Sequence, residues 1–241
     1  MLPRNTEVVI IGGGVIGASI LYHLSRRKIT AVAVEQNELA TGSSGACDGL
    51  IFLQSKKPGT HLQLALESKA RFEHLQDELD LQVEYRNPGG MIITENEDEL
   101  TAMVSLVEEQ RNTGLDVCLL NPHEAREMEP SLSDAISGVT FCPLDAKVNP
   151  ILLTLAFISW AQRHGGRAVT DCEVTGIEVK SRRVRAVHTT RGSIEGFVMA
   201  AGHEGDGVAL SPGTGALIAE LIDMGSTHIP LDEFALARFH P

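Results

Sequence analysis

The hydrophobic positions of this 241-residue chain change period several times, and the first change carries the most information. Val8, Val9, Ile10 and Ile11 form a β-branched run, the composition of a strand buried on both faces, which stops at Gly12-Gly13-Gly14-Val15-Ile16-Gly17. Ile16, Ile20 and Leu24 then recur at helical spacing, and Arg26, Arg27 and Lys28 close the segment where the negative end of a helix would lie. Residues 30–34 supply a second β-branched strand that ends on Glu35, 18 residues after Gly17. The unit reads strand, glycine turn, helix, strand, acid.

Further along, residues 61–79 read as an amphipathic helix with Leu62, Leu66, Ala70 and Leu75 among its apolar positions, ending in Asp77, Glu78 and Asp80. Two short strands, 83–85 and 91–94, flank Asn87-Pro88-Gly89-Gly90 and predict a hairpin. A helix over 97–113 stops at Gly114, and a strand follows over 117–120. Asn121-Pro122-His123-Glu124 and Asn149-Pro150 each place a capping side chain before a proline that starts a helix, the second running to about His164. Trp160 within it reads as core. Residues 137–142 form another strand, and 168–169, 174–179, 185–190 and 196–200 read as strands of a meander. After the glycine-rich stretch 202–215 an apolar helix is predicted over 216–224.

The first unit suits a dinucleotide. Gly12 permits the tight turn, Gly14 lets backbone approach a pyrophosphate, and Gly17 lets helix and strand pack closely. The amides of Val15, Ile16 and Gly17 would face the phosphates at the positive end of the helix dipole, and Glu35, with Gln36 beside it, sits where a carboxylate accepts hydrogen bonds from the adenosine ribose. A small, hydroxyl-rich stretch, Thr41-Gly42-Ser43-Ser44-Gly45, would also let backbone run close to a ligand.

A net charge of −12 argues against an extended nucleic-acid surface. Mean hydropathy near zero fits a globular chain. Cys47, Cys118, Cys142 and Cys172 are widely spaced, without the pairing that marks a zinc site or a disulfide framework, so reduced thiols and a cytoplasmic location are expected. No apolar run approaches the roughly 18 residues of a spanning helix, and no metal-binding spacing stands out.

The N-terminal Val-Ile-Ile-Gly-Gly-Gly-Val-Ile-Gly-Ala-Ser, the strand ending in Glu35 and the Thr-Gly-Ser-Ser-Gly loop resemble the FAD-dependent oxidoreductases of the D-amino-acid oxidase superfamily, such as glycine and sarcosine oxidases and amino-acid and opine dehydrogenases. The resemblance implies an α/β fold: a Rossmann-like FAD-binding domain, with a parallel sheet, helices and a β-meander, from residues 1–50 and 150–241. A partial antiparallel α+β substrate domain would occupy 51–149. It places Gly42, Ser43 and Ser44 along the FAD pyrophosphate and ribityl chain, and Val174 at the adenine through its backbone. Gly202, Gly205, Asp206 and Gly207 would lie near the flavin pyrimidine ring. His203 reads as framework, and no catalytic side chain is assigned.

In such relatives a segment of about 100 residues, a domain's worth, separates the strand ending Ala200-Ala201-Gly202 from the block Gly202-His203-Glu204-Gly205-Asp206-Gly207. In this chain Gly202 belongs to both, which implies an internal deletion or a minimal flavoprotein with another role. The implied reaction is oxidation of the C–N bond of an amino acid or secondary amine by hydride transfer to flavin, impaired by the missing segment. Oxygen or an electron-accepting partner subunit would reoxidise the flavin. A noncatalytic FAD-binding or interaction module is the alternative, and an NAD-dependent enzyme is permitted by the first motif alone.

Overall fold

The computed structural model describes residues 2–181, 183–200 and 206–231. In chain order the elements are β1 (Asn5–Ile11), α1 (Val15–Arg26), β2 (Ala31–Val34), α2 (Ser43–Ala46), β3 (Leu50–Ile51), α3 (Thr60–Leu79), β4 (Gly90–Thr94), α4 (Glu97–Asn112) and β5 (Cys118–Leu120). They continue as α5 (Pro122–Met128), β6 (Gly138–Cys142), β7 (Ala146–Lys147), α6 (Pro150–Arg163), β8 (Arg167–Val169), β9 (Val174–Lys180), β10 (Arg183–Thr189), β11 (Gly192–Ala200) and α7 (Gly207–Met224).

A six-stranded sheet, ordered β8-β2-β1-β11-β10-β9, forms the centre. β1 lies parallel to β2 on one side and to β11 on the other, while β11, β10 and β9 run as an antiparallel meander. Because β1 and β2 are interior strands covered on both faces, their side chains from Val8 to Ile10 and Ala31 to Val34 are all buried. A three-stranded antiparallel sheet, β4-β6-β5, and a short β3-β7 pair complete the strands. The architecture is therefore the mixed α/β type expected, with its parallel sheet, meander and smaller antiparallel sheet.

One core joins α1, α3, α6 and the central sheet: Ile20, Leu21 and Leu24 meet Phe72, Leu75 and Leu79 together with Leu153, Phe157 and Ala161. Both predicted caps form. Asn121 accepts from His123 N and Glu124 N in a capping box, and Asn149 accepts from Ile151 N and Leu152 N. Trp160 packs partly buried against the core and stacks on His164 at 3.6 Å between ring centroids.

Two expectations fail. The 83–85 segment is not a strand, because β4 pairs with β6, from Gly90↔Cys142 to Thr94↔Gly138, so no hairpin closes over Asn87-Pro88-Gly89-Gly90. The last helix begins at Gly207, nine residues before Ala216, and runs through Pro212. A proline there leaves the Val208 carbonyl without its helical donor, and the Ser211 hydroxyl fills the gap at 2.9 Å. Ser19 from α1 and Ser68 from α3 donate to the carbonyls of Ser211 and Leu210 at 2.7 and 3.2 Å, holding α7 against both helices.

Candidate cofactor-binding site

The C-terminal ends of β1 and β2 carry the glycine turn and the acid. Gly12 adopts φ +111°, a conformation that L side chains rarely take, and nothing lies within 4 Å of where its Cβ would stand. Gly13 closes the turn: its amide donates to Glu35 Oε2 at 2.7 Å, and a Cβ would meet Leu39 Cδ2 at 2.7 Å. At Gly17 a Cβ would fall 2.2 Å from the Gly12 carbonyl oxygen, so only glycine lets α1 sit this close to the turn.

Gly14 is the N-cap of α1 and offers no side chain to the helix amides, and the first turn holds no acid. The Val15 amide donates to Ser44 Oγ at 3.0 Å, which brings the start of α2 onto the start of α1. Ala40 N donates to the Gly13 carbonyl at 3.2 Å and fixes the approach of that loop. Gly42 and Ser43 follow on the exposed side, whereas the side chains of Val15 and Ile16 are buried and leave only backbone for a ligand.

Glu35 is held rather than free. Its second oxygen accepts from Asn37 N at 2.9 Å, and its backbone is zipped to the chain after β8 by Glu35 N to Val169 O and Cys172 N to Glu35 O, both 2.9 Å. That zipper brings up β9, whose first residue, Val174, packs partly buried against the cluster of Val34 and Val169, while Gln36 is exposed beside it. A carboxylate offers about four acceptor sites, so with one amide on each oxygen Glu35 retains capacity for sugar hydroxyls. The open Gly12, the start of α1 with no side chain at its N-cap Gly14, and this acid fit a dinucleotide diphosphate.

Gly202 and Gly205, with His203, fall outside the described residues. Asp206 is the N-cap of α7, but its carboxylate does not cap the helix. It accepts from Lys56 Nζ at 2.7 Å, and its other oxygen lies 3.6 Å from His61 Nε2. Gly207 opens the helix. Further along α7 the glycines pack helices: a Cβ at Gly213 would stand 2.5 Å from Ser68 Oγ, and one at Gly215 would stand 2.2 Å from Ser19 Oγ. Sequence reasoning missed Lys56, since Ser55-Lys56-Lys57-Pro58-Gly59 has the composition of a solvated turn, and it gave Gly13 no role.

A family model described as DAO, FAD dependent oxidoreductase, matches residues 7–202. Mitochondrial sarcosine dehydrogenase of Mus musculus is 29% identical over 202 residues, which cover 80% of this chain and 22% of that protein. An anaerobic glycerol-3-phosphate dehydrogenase subunit of Escherichia coli (strain K12) is 31% identical over 174 residues, 72% of this chain and 32% of that one. The structure of glycine oxidase from Bacillus cereus ATCC 14579 matches with a TM-score of 0.74 at 33% identity, over 82% of this chain and 55% of that chain. This chain thus spans between about a fifth and a third of the length of those two curated relatives. The matched span contains both the glycine turn and Glu35, and the chain belongs to the DAO family of FAD-dependent oxidoreductases, whose cofactor is FAD.

Proposed function

We infer that this chain oxidises the C–N bond of an amino acid or secondary amine, with a turnover reduced by the short substrate side. The observation that carries the cofactor assignment is the Glu35 carboxylate held 2.7 Å from Gly13 N beside an open Gly12. Bound FAD supplies the acceptor for the hydride that leaves the substrate carbon. The chain's own task is to bind and orient it. Gly12, Gly14 and the amides of Val15, Ile16 and Gly17 receive the pyrophosphate, and Glu35 and Gln36 take the ribose. Gly42, Ser43 and Ser44 line the phosphate and ribityl path, and Val174 offers backbone to the adenine. Gly202, Gly205, Asp206 and Gly207 serve the pyrimidine end. Sarcosine dehydrogenase and glycine oxidase bear amine or amino-acid names, which supports a C–N substrate, while the glycerol-3-phosphate dehydrogenase subunit bears the name of an alcohol substrate.

In this reading residues 1–50 and 150–241 form the FAD side and 51–149 the substrate side, with α3 packing its apolar face into the shared core. The electron acceptor is oxygen or a separate partner protein. Four free cysteines support a reducing, cytoplasmic setting, and among the described residues no helix is long and apolar enough to cross a membrane. A noncatalytic FAD-binding or interaction module is the second reading. It is favoured by β4 and β5, the outer strands of their sheet, which carry the exposed side chains of Ile93 and Leu119. The test is to titrate the purified chain with FAD, following flavin fluorescence, and then add sarcosine, glycine and proline anaerobically. Bleaching of the flavin absorbance is the expected result. Tight flavin that no amine bleaches would favour the module, and a chain that binds no flavin would overturn both readings.

A further inference from the structure

Lys56 is 3% exposed although it lies in a polar stretch, and the loop that carries it is tied to buried polar side chains. Leu53 N and Gln54 Nε2 each donate to the buried Asp145 carboxylate at 2.6 Å, and Gln54 Nε2 also reaches Gly90 O at 2.8 Å. Gln110 Nε2 bridges the carbonyls of Gln54 and Lys56 at 2.9 and 2.7 Å. The ammonium group that this scaffold presents touches Asp206 Oδ1 and Ser55 Oγ, at 2.7 and 2.6 Å.

An aspartate at an N-cap ordinarily adopts extended backbone and accepts from the second or third amide of its own helix. Asp206 does neither. Its backbone is at φ −99°, ψ 13°, and its carboxylate caps nothing. We propose that Lys56 is a positioning residue: by holding the Asp206 carboxylate, it keeps that negative group off the amides of Val208 and Ala209 and leaves the α7 terminus open to negative charge on the cofactor. This rests on the reading that the start of α7 serves FAD. Without Lys56 the carboxylate swings onto its own helix, consumes the donors and places an anion at the positive end of the dipole.

The test pairs amide exchange in the FAD-free chain with FAD titration, in wild type, Lys56→Met, Lys56→Arg and the double variant Lys56→Met/Asp206→Ala. Lys56→Met should slow exchange at Val208 and Ala209 about fivefold, the gain of a new cap, and weaken FAD about tenfold. Lys56→Arg should match wild type, and in the double variant, where no carboxylate remains to swing, exchange at Val208 and Ala209 should return to within about twofold of wild type. If Lys56→Met speeds exchange or leaves it unchanged, or if exchange in the double variant stays as slow as in Lys56→Met, the proposal is overturned. Lys56→Gln, which keeps a polar end in the pocket, takes the place of the methionine variant should that one not fold. A wild-type chain that binds no FAD defeats the functional reading instead, and exchange at Val208 and Ala209 still decides the role of Lys56.

Discussion

Substituting Gly17 by alanine sets two known effects against each other at a single methyl group. In an unhindered helix the change would add stability, up to about 1 kcal/mol, because glycine is the poorer helix former. At this position the new Cβ would stand 2.2 Å from the Gly12 carbonyl oxygen and 3.2 Å from Ile10 Cγ2. The first distance is roughly 1 Å inside an ordinary carbon–oxygen contact. Neither neighbour can step aside: Gly12 is backbone in a constrained turn, and Ile10 is fully buried in a central strand. Relief requires α1 to move off β1, and α1 carries Ala18, Ile20, Leu21 and Leu24, all buried in the main core. Overpacking of this kind costs about 1–3 kcal/mol, and the helix-propensity gain offsets part of it, so the net expectation is a loss of about 1 kcal/mol, or roughly 2–4 °C in Tm for a chain of this size. Thermal and urea unfolding of the FAD-free chain measure it directly. An unchanged or raised Tm would mean that helix propensity dominates, and the close-packing argument for Gly17 would be refuted.

The other predictions separate folding from binding. Gly14→Ala is compatible with φ −78°, ψ 179° and meets only Ser44 Oγ, at 3.0 Å, so its Tm should stay near wild type while flavin titration shows at least tenfold weaker FAD. Burial pushes the His23 imidazole down to about 3. The unfolded chain, whose histidine takes up its proton near 6.5, therefore binds more protons, and stability should fall as pH drops from about 6.5 toward 3. Melting curves of His23→Gln should lose part of this acid slope. His228 has the opposite sign: its bonds to Glu220 and Glu67, both 2.7 Å, raise its pKa, in surroundings that also hold Arg27 against Glu220 and Arg71 against Glu67. The stability it adds is full below about 6.5 and is lost as pH rises through the folded value, so His228→Gln should lower Tm at pH 6 and leave it unchanged at pH 9.

Much of the cofactor site follows from the order of residues along the chain. The run from Val8 to Ile11, the Gly12–Gly17 spacing and the acid ending the next strand specify a strand, a turn and a helix whose parts lie within one short supersecondary unit, and the caps at Asn121 and Asn149 act over three residues. Such features are legible because the interacting groups are close in sequence, and the backbone geometry that joins them is nearly fixed. Three others were decided only by contacts between distant segments. β11 lies parallel to β1, and β4 chose β6 over its sequence neighbour, because strand pairing depends on which edges the whole fold leaves free. Pro212 stayed inside a helix because serine hydroxyls from α1, α3 and α7 itself supplied hydrogen bonds that a local reading cannot see. Lys56 became a buried cation because Asp206, 150 positions away, was folded against it. A lysine beside proline and glycine looks solvated until its partner is known, since burying a charge is tolerable only where the fold provides the opposite one.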